Sequence, residues 1–321
     1  MTTLQLAQRE VWMDTMLELG AIYPDMVLLD GDLATASFCQ KFENAYPQRF
    51  FQMGIAEQNM AGVAAGLATL GFVPWINSFA VFEAKRMLDQ IRVVIAQPNL
   101  NVKMAAHYSG ILAGKTGKTH VAVQDITVMR AMPHMTVIVP CDGIELKKAM
   151  HAVMEFEGPT YLRMTRSPEP VIFGEDYHFE IGQAVVVREG RDLTIIATGV
   201  QTLRAVEAAR QLAGEGVEAH VLHVPTLKPL DATAIIAAAD KTGLVLTTEE
   251  HSVIGGLGAA VAEVLGQERP TLMRIHGLQD TYAESGPDKA MLEKYCLTPK
   301  HIAIEAQQLL ARARKRQSPR Q

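Results

Sequence analysis

The stretch Gly54-Ile55-Ala56-Glu57-Gln58-Asn59 carries a single acidic residue at a change of secondary structure. Residues 49–53 before it have the pattern of a short apolar strand, and the alanine- and glycine-rich residues 60–68 after it predict a helix. That helix is apolar on nearly all sides, and its glycines would let another backbone approach closely, so we expect it to be buried. Glu57 is therefore predicted to begin a buried helix directly after a strand.

Two interpretations of Glu57 are open at this point. An acidic residue in the first turn stabilises the helix dipole by about 0.3 to 1 kcal/mol, and this alone could explain its presence. A carboxyl group removed from water can instead share a proton with a bound heterocycle. The remainder of the chain bears on this choice.

The composition predicts a globular chain of about two domains. The chain has 321 residues, of which 48% are hydrophobic, which is enough for a core in each domain. A formal net charge of -5 argues against a nucleic-acid partner, because such proteins neutralise phosphates with clustered Lys and Arg. One basic cluster near the C-terminus is expected to be a frayed, solvated tail, with members Arg312, Arg314, Lys315, Arg316 and Arg320.

Cysteine usage and hydropathy predict a cytoplasmic protein. Cys39, Cys141 and Cys296 are far apart and form no Cys-x-x-Cys pair, so neither a disulfide framework nor a zinc site is indicated. The first ten residues are polar, and no run approaches the roughly 18 apolar residues of a membrane span, so no membrane partner is expected. Histidines at metal-ligand spacing are also missing, so no metal ligand is predicted, and His223 and His251 are interpreted as structural.

Strand-like and helical segments alternate along the chain, which predicts parallel sheets covered on both faces. A helix over 4–19 carries Arg9, and Asp30 and Asp32 are expected at the carboxyl end of the first strand. Strands are predicted over 26–30, 50–53, 73–76, 102–105, 136–139 and 160–164.

A second unit of the same kind follows a break in the pattern. Its strands are predicted over 183–187, 193–197, 219–222 and 244–247, with helices over 202–214 and 256–265. The predicted domains are 1–175 and 183–321, joined by a linker over 176–182. The predicted fold class is α/β, with two doubly wound open sheets, mostly parallel, in tandem.

Three further groups of residues carry candidate chemistry. Phe79, Phe82 and Arg86 have the spacing of one helical face, so the aromatic pair could stack on a flat ring or simply pack in the core. His107 and His120 bracket a glycine-rich loop and could bind sugar hydroxyls and move their protons. A guanidinium group binds phosphate through two parallel hydrogen bonds, so Arg166, together with Arg9, is predicted to hold a sugar phosphate.

Taken together, these features resemble the C-terminal half of a transketolase, in the family's order over most of the chain. The resemblance rests on the Glu57 motif and on Asp89-Gln90-Ile91-Arg92, Asn101-Val102-Lys103, the histidine loop, Asp125-Ile126, Met129-Arg130 and the stretch from Glu249-Glu250-His251-Ser252 to Gly258. It implies a pyrimidine-binding domain followed by a transketolase C-terminal domain that mainly builds a dimer.

The resemblance also implies thiamine diphosphate as cofactor and a two-carbon ketol transfer between sugar phosphates. Glu57 would hydrogen-bond the aminopyrimidine N1′ and favour its imino tautomer, and His107 and His120 would act on hydroxyl protons. The cofactor contacts implied by the resemblance are Ile55, Glu57, Phe79, Phe82 and Arg86.

The family's Gly-Asp-Gly motif with a later Asn, which holds magnesium and the diphosphate, has no counterpart here, because Gly31-Asp32-Leu33 does not match it. We therefore expect one subunit of a split transketolase, completed by an N-terminal subunit that carries magnesium and the diphosphate site. The active site would then lie between chains, in an α2β2 assembly in which this subunit dimerises.

The histidine loop departs from the family pattern. Transketolases usually have Gly-Glu-Asp-Gly here, whereas this chain has Gly114-Lys115-Thr116-Gly117-Lys118, so an acidic residue is replaced by Thr116 between two cations. This departure suggests a modified or more anionic sugar substrate, contacted by Lys115 and Lys118.

Three alternative functions remain. The β subunit of a 2-oxo acid dehydrogenase complex shares the domain layout and the glutamate, although Gln58-Asn59 and the two loop histidines favour transketolase. Half of a deoxyxylulose phosphate synthase is disfavoured because that enzyme is typically one long chain. From another class, a non-catalytic scaffold would dimerise or regulate without completing an active site.

Overall fold

The computed structural model describes residues 4–317, in which two mostly parallel sheets lie in tandem. The strands are β1 (Gln5–Ala7), β2 (Met26–Asp30), β3 (Phe50–Gln52), β4 (Val73–Phe79), β5 (Lys103–His107), β6 (Thr136–Ile138), β7 (Thr160–Arg163), β8 (Pro168–Pro170), β9 (Val185–Arg188), β10 (Leu193–Ala197), β11 (Ala219–His223), β12 (Thr226–Lys228), β13 (Leu244–Ser252) and β14 (Leu272–Leu278). The α-helices are α1 (Gln8–Ile22), α2 (Ala34–Ser37), α3 (Gln40–Ala45), α4 (Glu57–Thr69), α5 (Ala80–Lys85), α6 (Leu88–Gln90), α7 (Asp125–Arg130), α8 (Gly143–Glu155), α9 (Gln201–Gly214), α10 (Ala232–Thr242), α11 (Leu257–Glu268), α12 (Asp288–Lys294) and α13 (Pro299–Gln317). Shorter turns are the 3-10 helices Pro47–Arg49 and Gly114–Thr116, and a π-helix, Ile91–Ala96, continues α6.

The first sheet has the order β12-β6-β7-β5-β4-β2-β3. Its strands are parallel except β12, which pairs antiparallel with β6. All residues of β2, β4 and β5 are buried, as expected for parallel strands covered on both faces. The carboxyl ends of β2, β4 and β5 therefore meet at one edge of this sheet.

The second sheet has the order β14-β13-β10-β11-β9, with only β9 antiparallel to its neighbour. The predicted fold class of two mostly parallel sheets in tandem is confirmed. The sequence did not indicate that β12, from the predicted second domain, extends the first sheet. Because β12 follows β11 closely, this pairing joins the two sheets along the chain.

Packing also joins the two units. One apolar cluster contains Met60 and Ile76 of the first unit together with Ile196, Leu222 and Val245 of the second. A separate cluster on the other face of the first sheet includes Trp12 and Trp75, which are fully buried. The first sheet is thus covered on both faces, and one of these cores continues into the second unit.

Two local predictions were wrong. Helix α4 buries only one face, and a Cβ atom added at Gly62 or Gly66 would meet nothing within 4 Å, so these glycines allow no close backbone approach among residues 4–317. The basic cluster is not frayed, because Arg312, Arg314, Lys315 and Arg316 lie in α13; Arg320 is outside the described residues. None of the helices within residues 4–317 has both the length and the apolar character needed to cross a membrane.

Candidate active site

Glu57 is the first residue of α4, at the turn that leaves β3. Only 3% of its surface is exposed, and its Oε2 accepts a hydrogen bond of 3.4 Å from Nη1 of Arg86. The Arg86 side chain is 54% exposed, so the carboxylate is buried while its cationic partner reaches solvent. Ile55, two residues earlier, is 73% exposed, which is unusual for a large apolar side chain beside a buried acid.

Phe79 and Phe82 form an aromatic pair beside Glu57. Their ring centroids lie 5.9 Å apart with an interplanar angle of 27°, and the guanidinium carbon of Arg86 lies 5.7 Å from the Phe82 centroid. The predicted helical face is wrong in detail, since Phe79 ends β4 and only Phe82 lies on α5. The strand-to-helix turn nevertheless brings all three side chains together, and Arg86 bridges the pair to Glu57.

Tyr108 is a site residue that the sequence analysis missed. It is 5% exposed, its ring lies 4.4 Å from that of Phe79, and its hydroxyl accepts a hydrogen bond of 3.0 Å from Nη1 of Arg9. The guanidinium carbon of Arg166 lies 5.4 Å from the Tyr108 centroid. Its backbone has a φ of 56°, a strained value for a bulky residue and one that often marks a functional site. Only its position directly after a strand could have indicated this role.

The two candidate histidines occupy different environments. His120 lies in the loop, with its ring edge-on to Phe82 and Phe79 at 5.3 and 6.0 Å between centroids, and its Nδ1 is 2.8 Å from Oγ1 of Thr119. His107 is the last residue of β5 and packs edge-on against Trp12 at 4.5 Å. Neither ring nitrogen of His107 has a hydrogen-bond partner among residues 4–317. The structure thus places the ring of His120 against the aromatic pair, whereas His107 pairs with Phe79 along the strands but has its ring against Trp12.

His107 is expected to make the protein acid-sensitive. Burial, assisted by the charge of Arg9, lowers the pKa of His107 from 6.5 to about 3, so the folded state holds the neutral ring. The unfolded state binds the proton first, so this contribution to stability is intact above pH 6.5 and is lost as the pH falls towards 3. By about pH 4.5 the loss amounts to roughly 2 to 3 kcal/mol.

Urea unfolding of His107→Leu and wild type between about pH 7 and 4.5 measures this loss. The variant is expected to lose less stability on acidification, because it lacks the titrating ring. The control His178→Leu removes an exposed ring and should follow the wild-type pH dependence. Parallel curves for His107→Leu and wild type would contradict the prediction.

A cationic cavity of about 280 Å³ lies next to Tyr108. Arg9, Lys115 and Arg166 line it, together with Ser167, Pro168, Pro287 and Asp288. Within the described residues, Lys115 and Arg166 have no side-chain hydrogen bond or ion pair, and the buried Nε of Arg9 has no partner. Unpartnered guanidinium and ammonium groups around one cavity are suited to bind an anion.

Thr116 and Lys118 do not line this cavity. The Thr116 hydroxyl donates a hydrogen bond of 2.6 Å to the Ala113 carbonyl, which closes a turn within the loop. Lys118 lines a separate cavity with Lys85 and Tyr282. Of the predicted substrate residues, the fold therefore brings together Arg9, Lys115 and Arg166.

Glu249 and Glu250 have structural partners. The carboxylate of Glu249 accepts hydrogen bonds from the amides of Leu257 and Gly258, at 2.7 and 2.8 Å, at the start of α11. Oε1 of Glu250 accepts from the amides of Ile111 and Leu112, at 2.7 and 3.0 Å. Burial raises the pKa of both carboxyl groups to about 7. Glu250 thereby ties the loop after Tyr108 to the second unit.

Gly110 allows that connection. Its φ is +67°, and a Cβ atom at this position would lie 2.2 Å from Oε1 of Glu250. A residue with a side chain would therefore displace the carboxylate.

The group Cys141, Glu145 and His223 could geometrically hold a metal ion, because its ligand atoms lie within 4.8 Å of one another. The carboxylate and the imidazole ring already have partners, however. Oε2 of Glu145 is 2.8 Å from Nε2 of His223 and accepts a hydrogen bond of 2.6 Å from the Cys141 amide, and Tyr177 donates to Oε1 at 2.8 Å. Burial raises the pKa of the Cys141 thiol well above its usual value, which disfavours the thiolate that a metal would need.

Two family models match most of this chain. Residues 5–170 match the family described as transketolase, pyrimidine binding domain, and residues 182–302 match transketolase, C-terminal domain. The chain is 41% identical to the 6-deoxy-6-sulfo-D-fructose transketolase subunit SqwH of Clostridium sp. (strain MSTE9), over 95% of this chain and 94% of that protein.

Two further proteins are similar over nearly their full length. An apulose-4-phosphate transketolase subunit of Phocaeicola vulgatus is 35% identical, over 94% of this chain and 96% of that protein. A solved structure described as a split gene transketolase, inactive beta4 tetramer, is 43% identical with a TM-score of 0.88, over 95% of this chain and 98% of that one.

Proposed function

The chain belongs to the transketolase family, and from that premise we propose that it is one subunit of a split, thiamine diphosphate-dependent transketolase that transfers a two-carbon ketol unit between sugars. The observation that supports this proposal is the row of contacts from Glu57 through Arg86, Phe82 and Phe79 to Tyr108 and the cationic cavity. A buried acid, a flat aromatic surface and an anion site adjoin one another in that row.

The residues present fit the aminopyrimidine half of thiamine diphosphate. A buried carboxyl group can hydrogen-bond a ring nitrogen, and the Phe79 and Phe82 pair can stack on a flat heterocycle. The exposed side chain of Ile55 adds apolar surface directly before Glu57. When bound, the cofactor supplies the nucleophilic carbon for breaking and making the carbon–carbon bond.

The diphosphate and magnesium half is proposed to belong to a separate N-terminal subunit. Support comes from the missing Gly-Asp-Gly motif and from α4, whose outward face carries Gly62 and Gly66 beside the exposed Ile55. A second chain seated on this face would cover Ile55, two residues before Glu57, and help to enclose the cofactor. We propose an α2β2 assembly. We also propose that it is cytoplasmic, because the three free thiols are suited to a reducing compartment.

The substrate is proposed to be a sugar with a terminal anion bound in the cationic cavity. Arg9 and Arg166 would bind that anion and orient the carbon chain along Tyr108 towards the aromatic pair. His120, edge-on to both rings, would hold or move a proton on a substrate hydroxyl group. His107, neutral, buried and not among the residues that line the cavity, is proposed to have a structural role in place of the proton-transfer role expected from the sequence.

Calorimetry of thiamine diphosphate with magnesium tests the proposal. The titration is made on this chain alone, on a candidate N-terminal subunit alone, and on their mixture. We expect binding and ketol transfer only in the mixture, because neither subunit holds both ends of the cofactor. Tight binding by this chain alone would contradict the split site, and a mixture that neither binds nor turns over would favour the scaffold alternative.

A further inference from the structure

The second unit contributes to the cationic cavity. The segment between β14 and α12 crosses over the histidine loop, where Oγ of Ser285 donates a hydrogen bond of 3.1 Å to the Lys115 carbonyl. The segment then reaches the cavity at Pro287 and Asp288, which line it together with Arg9 and Arg166. A negative side chain therefore stands among three cations that have few other partners.

Asp288 is held by a hydrogen bond rather than by a direct ion pair. The half-buried carboxylate accepts a hydrogen bond from the Ser167 hydroxyl, and within residues 4–317 it forms no ion pair. The nearby acid Glu169 is already paired with Arg204 at 2.8 Å, so Asp288 supplies the negative charge that faces the cavity. A carboxylate in this position lowers the positive potential that an incoming anion meets.

We propose that Asp288 is a specificity-determining residue, which reduces the preference of the cavity for a doubly charged phosphate monoester over a singly charged terminal group such as a sulfonate. This inference rests on the proposed function, in which the cavity holds the terminal anion of the sugar. A phosphate monoester carries a charge of about −1.5 to −2 near neutral pH, whereas a sulfonate carries −1. Repulsion by Asp288 scales with that charge, so it weakens binding of the phosphate more than binding of the sulfonate.

Binding of two probes of similar shape tests the inference directly. Propane-1-sulfonate and propyl phosphate are titrated against the full-length chain at low ionic strength and about pH 8, where the phosphate is doubly charged. Asp288→Asn keeps the volume and the acceptor for Ser167 but removes the charge. The quantity compared is the affinity for propyl phosphate divided by the affinity for propane-1-sulfonate. We expect this ratio to be about three- to tenfold higher in the variant than in the wild type.

Two control variants separate charge from other effects. Asp280→Asn removes an exposed charge from the same segment and should leave the ratio of the two affinities unchanged. Ser167→Ala removes the hydrogen bond to Asp288 but keeps the carboxylate, so the ratio of the two affinities should stay at the wild-type value. The melting temperature of each variant shows whether it is folded.

The outcomes also distinguish the inference from the proposed function. If Arg166→Ala weakens the binding of both probes while Asp288→Asn leaves their affinity ratio unchanged, the cavity binds anions but the proposed role of Asp288 is wrong. If Arg166→Ala changes neither affinity, the cavity is not the anion site, and the proposed substrate position fails with the inference.

Discussion

Replacement of Glu57 by Gln is expected to lower the turnover of the assembled enzyme by about 10²- to 10⁴-fold. The amide keeps the size of the side chain but cannot share a proton with a ring nitrogen as a carboxyl group does. Stability should change little, because the partner Arg86 is 54% exposed and can be solvated by water. Steady-state turnover with the N-terminal subunit is the measurement, and thiamine diphosphate calorimetry shows whether binding or the chemical step is affected.

Glu43→Gln is the matched control for Glu57. Glu43 also lies in the first turn of a helix, α3, but is exposed and lies outside the row of contacts described above. If Glu57 only stabilised the helix dipole, the two variants would behave alike and lose about 0.3 to 1 kcal/mol of stability each. Turnover of Glu57→Gln within about threefold of wild type would contradict the proposed catalytic role.

Replacement of Asp125 by Ala is expected to destabilise the fold by about 3 to 5 kcal/mol. Asp125 is buried, and its Oδ2 accepts hydrogen bonds from Nε of Arg163 at 2.7 Å and from the Tyr161 hydroxyl at 3.0 Å. Burial alone would raise the pKa of Asp125, but the Arg163 charge and these hydrogen bonds hold it below its usual value. Removal of the carboxylate leaves a buried guanidinium group uncompensated.

The same change should loosen the active-site loop, because Nη2 of Arg163 also donates to the Glu250 carbonyl at 3.1 Å. Urea unfolding measures the stability, and hydrogen exchange at residues 108–113 measures the loop. Asp89→Ala, which breaks an exposed pair with Arg92, should cost less than about 1 kcal/mol. The double variant Asp125→Ala, Arg163→Met should be more stable than Asp125→Ala alone, because it also removes the unpaired guanidinium group. A loss below about 1 kcal/mol for Asp125→Ala would contradict the prediction.

The local pattern of the sequence was sufficient to predict the fold class and the position of Glu57 at the start of a helix. Alternating apolar strands and helices predicted two mostly parallel sheets, and the strand-to-helix change predicted the position of Glu57 at the start of α4. Both depend on neighbours within a few residues of one another, where periodicity and backbone preference act directly. The pairing of β12 with the first sheet could not be predicted, because nothing in its three residues specifies an edge strand so distant in the chain.

The candidate site also has features that the sequence predicted and features that only the tertiary structure shows. By itself, the sequence determined which residue types could bind an aminopyrimidine and a terminal anion, since carboxyl, aromatic and guanidinium groups have those properties in any fold. Only the tertiary structure decided that Arg9 and Arg166 share a cavity with Asp288, that Tyr108 joins that cavity to Phe79, and that His107 is buried and neutral. The physical reason is that charge pairing, desolvation and cavity shape depend on contacts between distant segments, which the order of the parallel strands brings to one edge of a sheet.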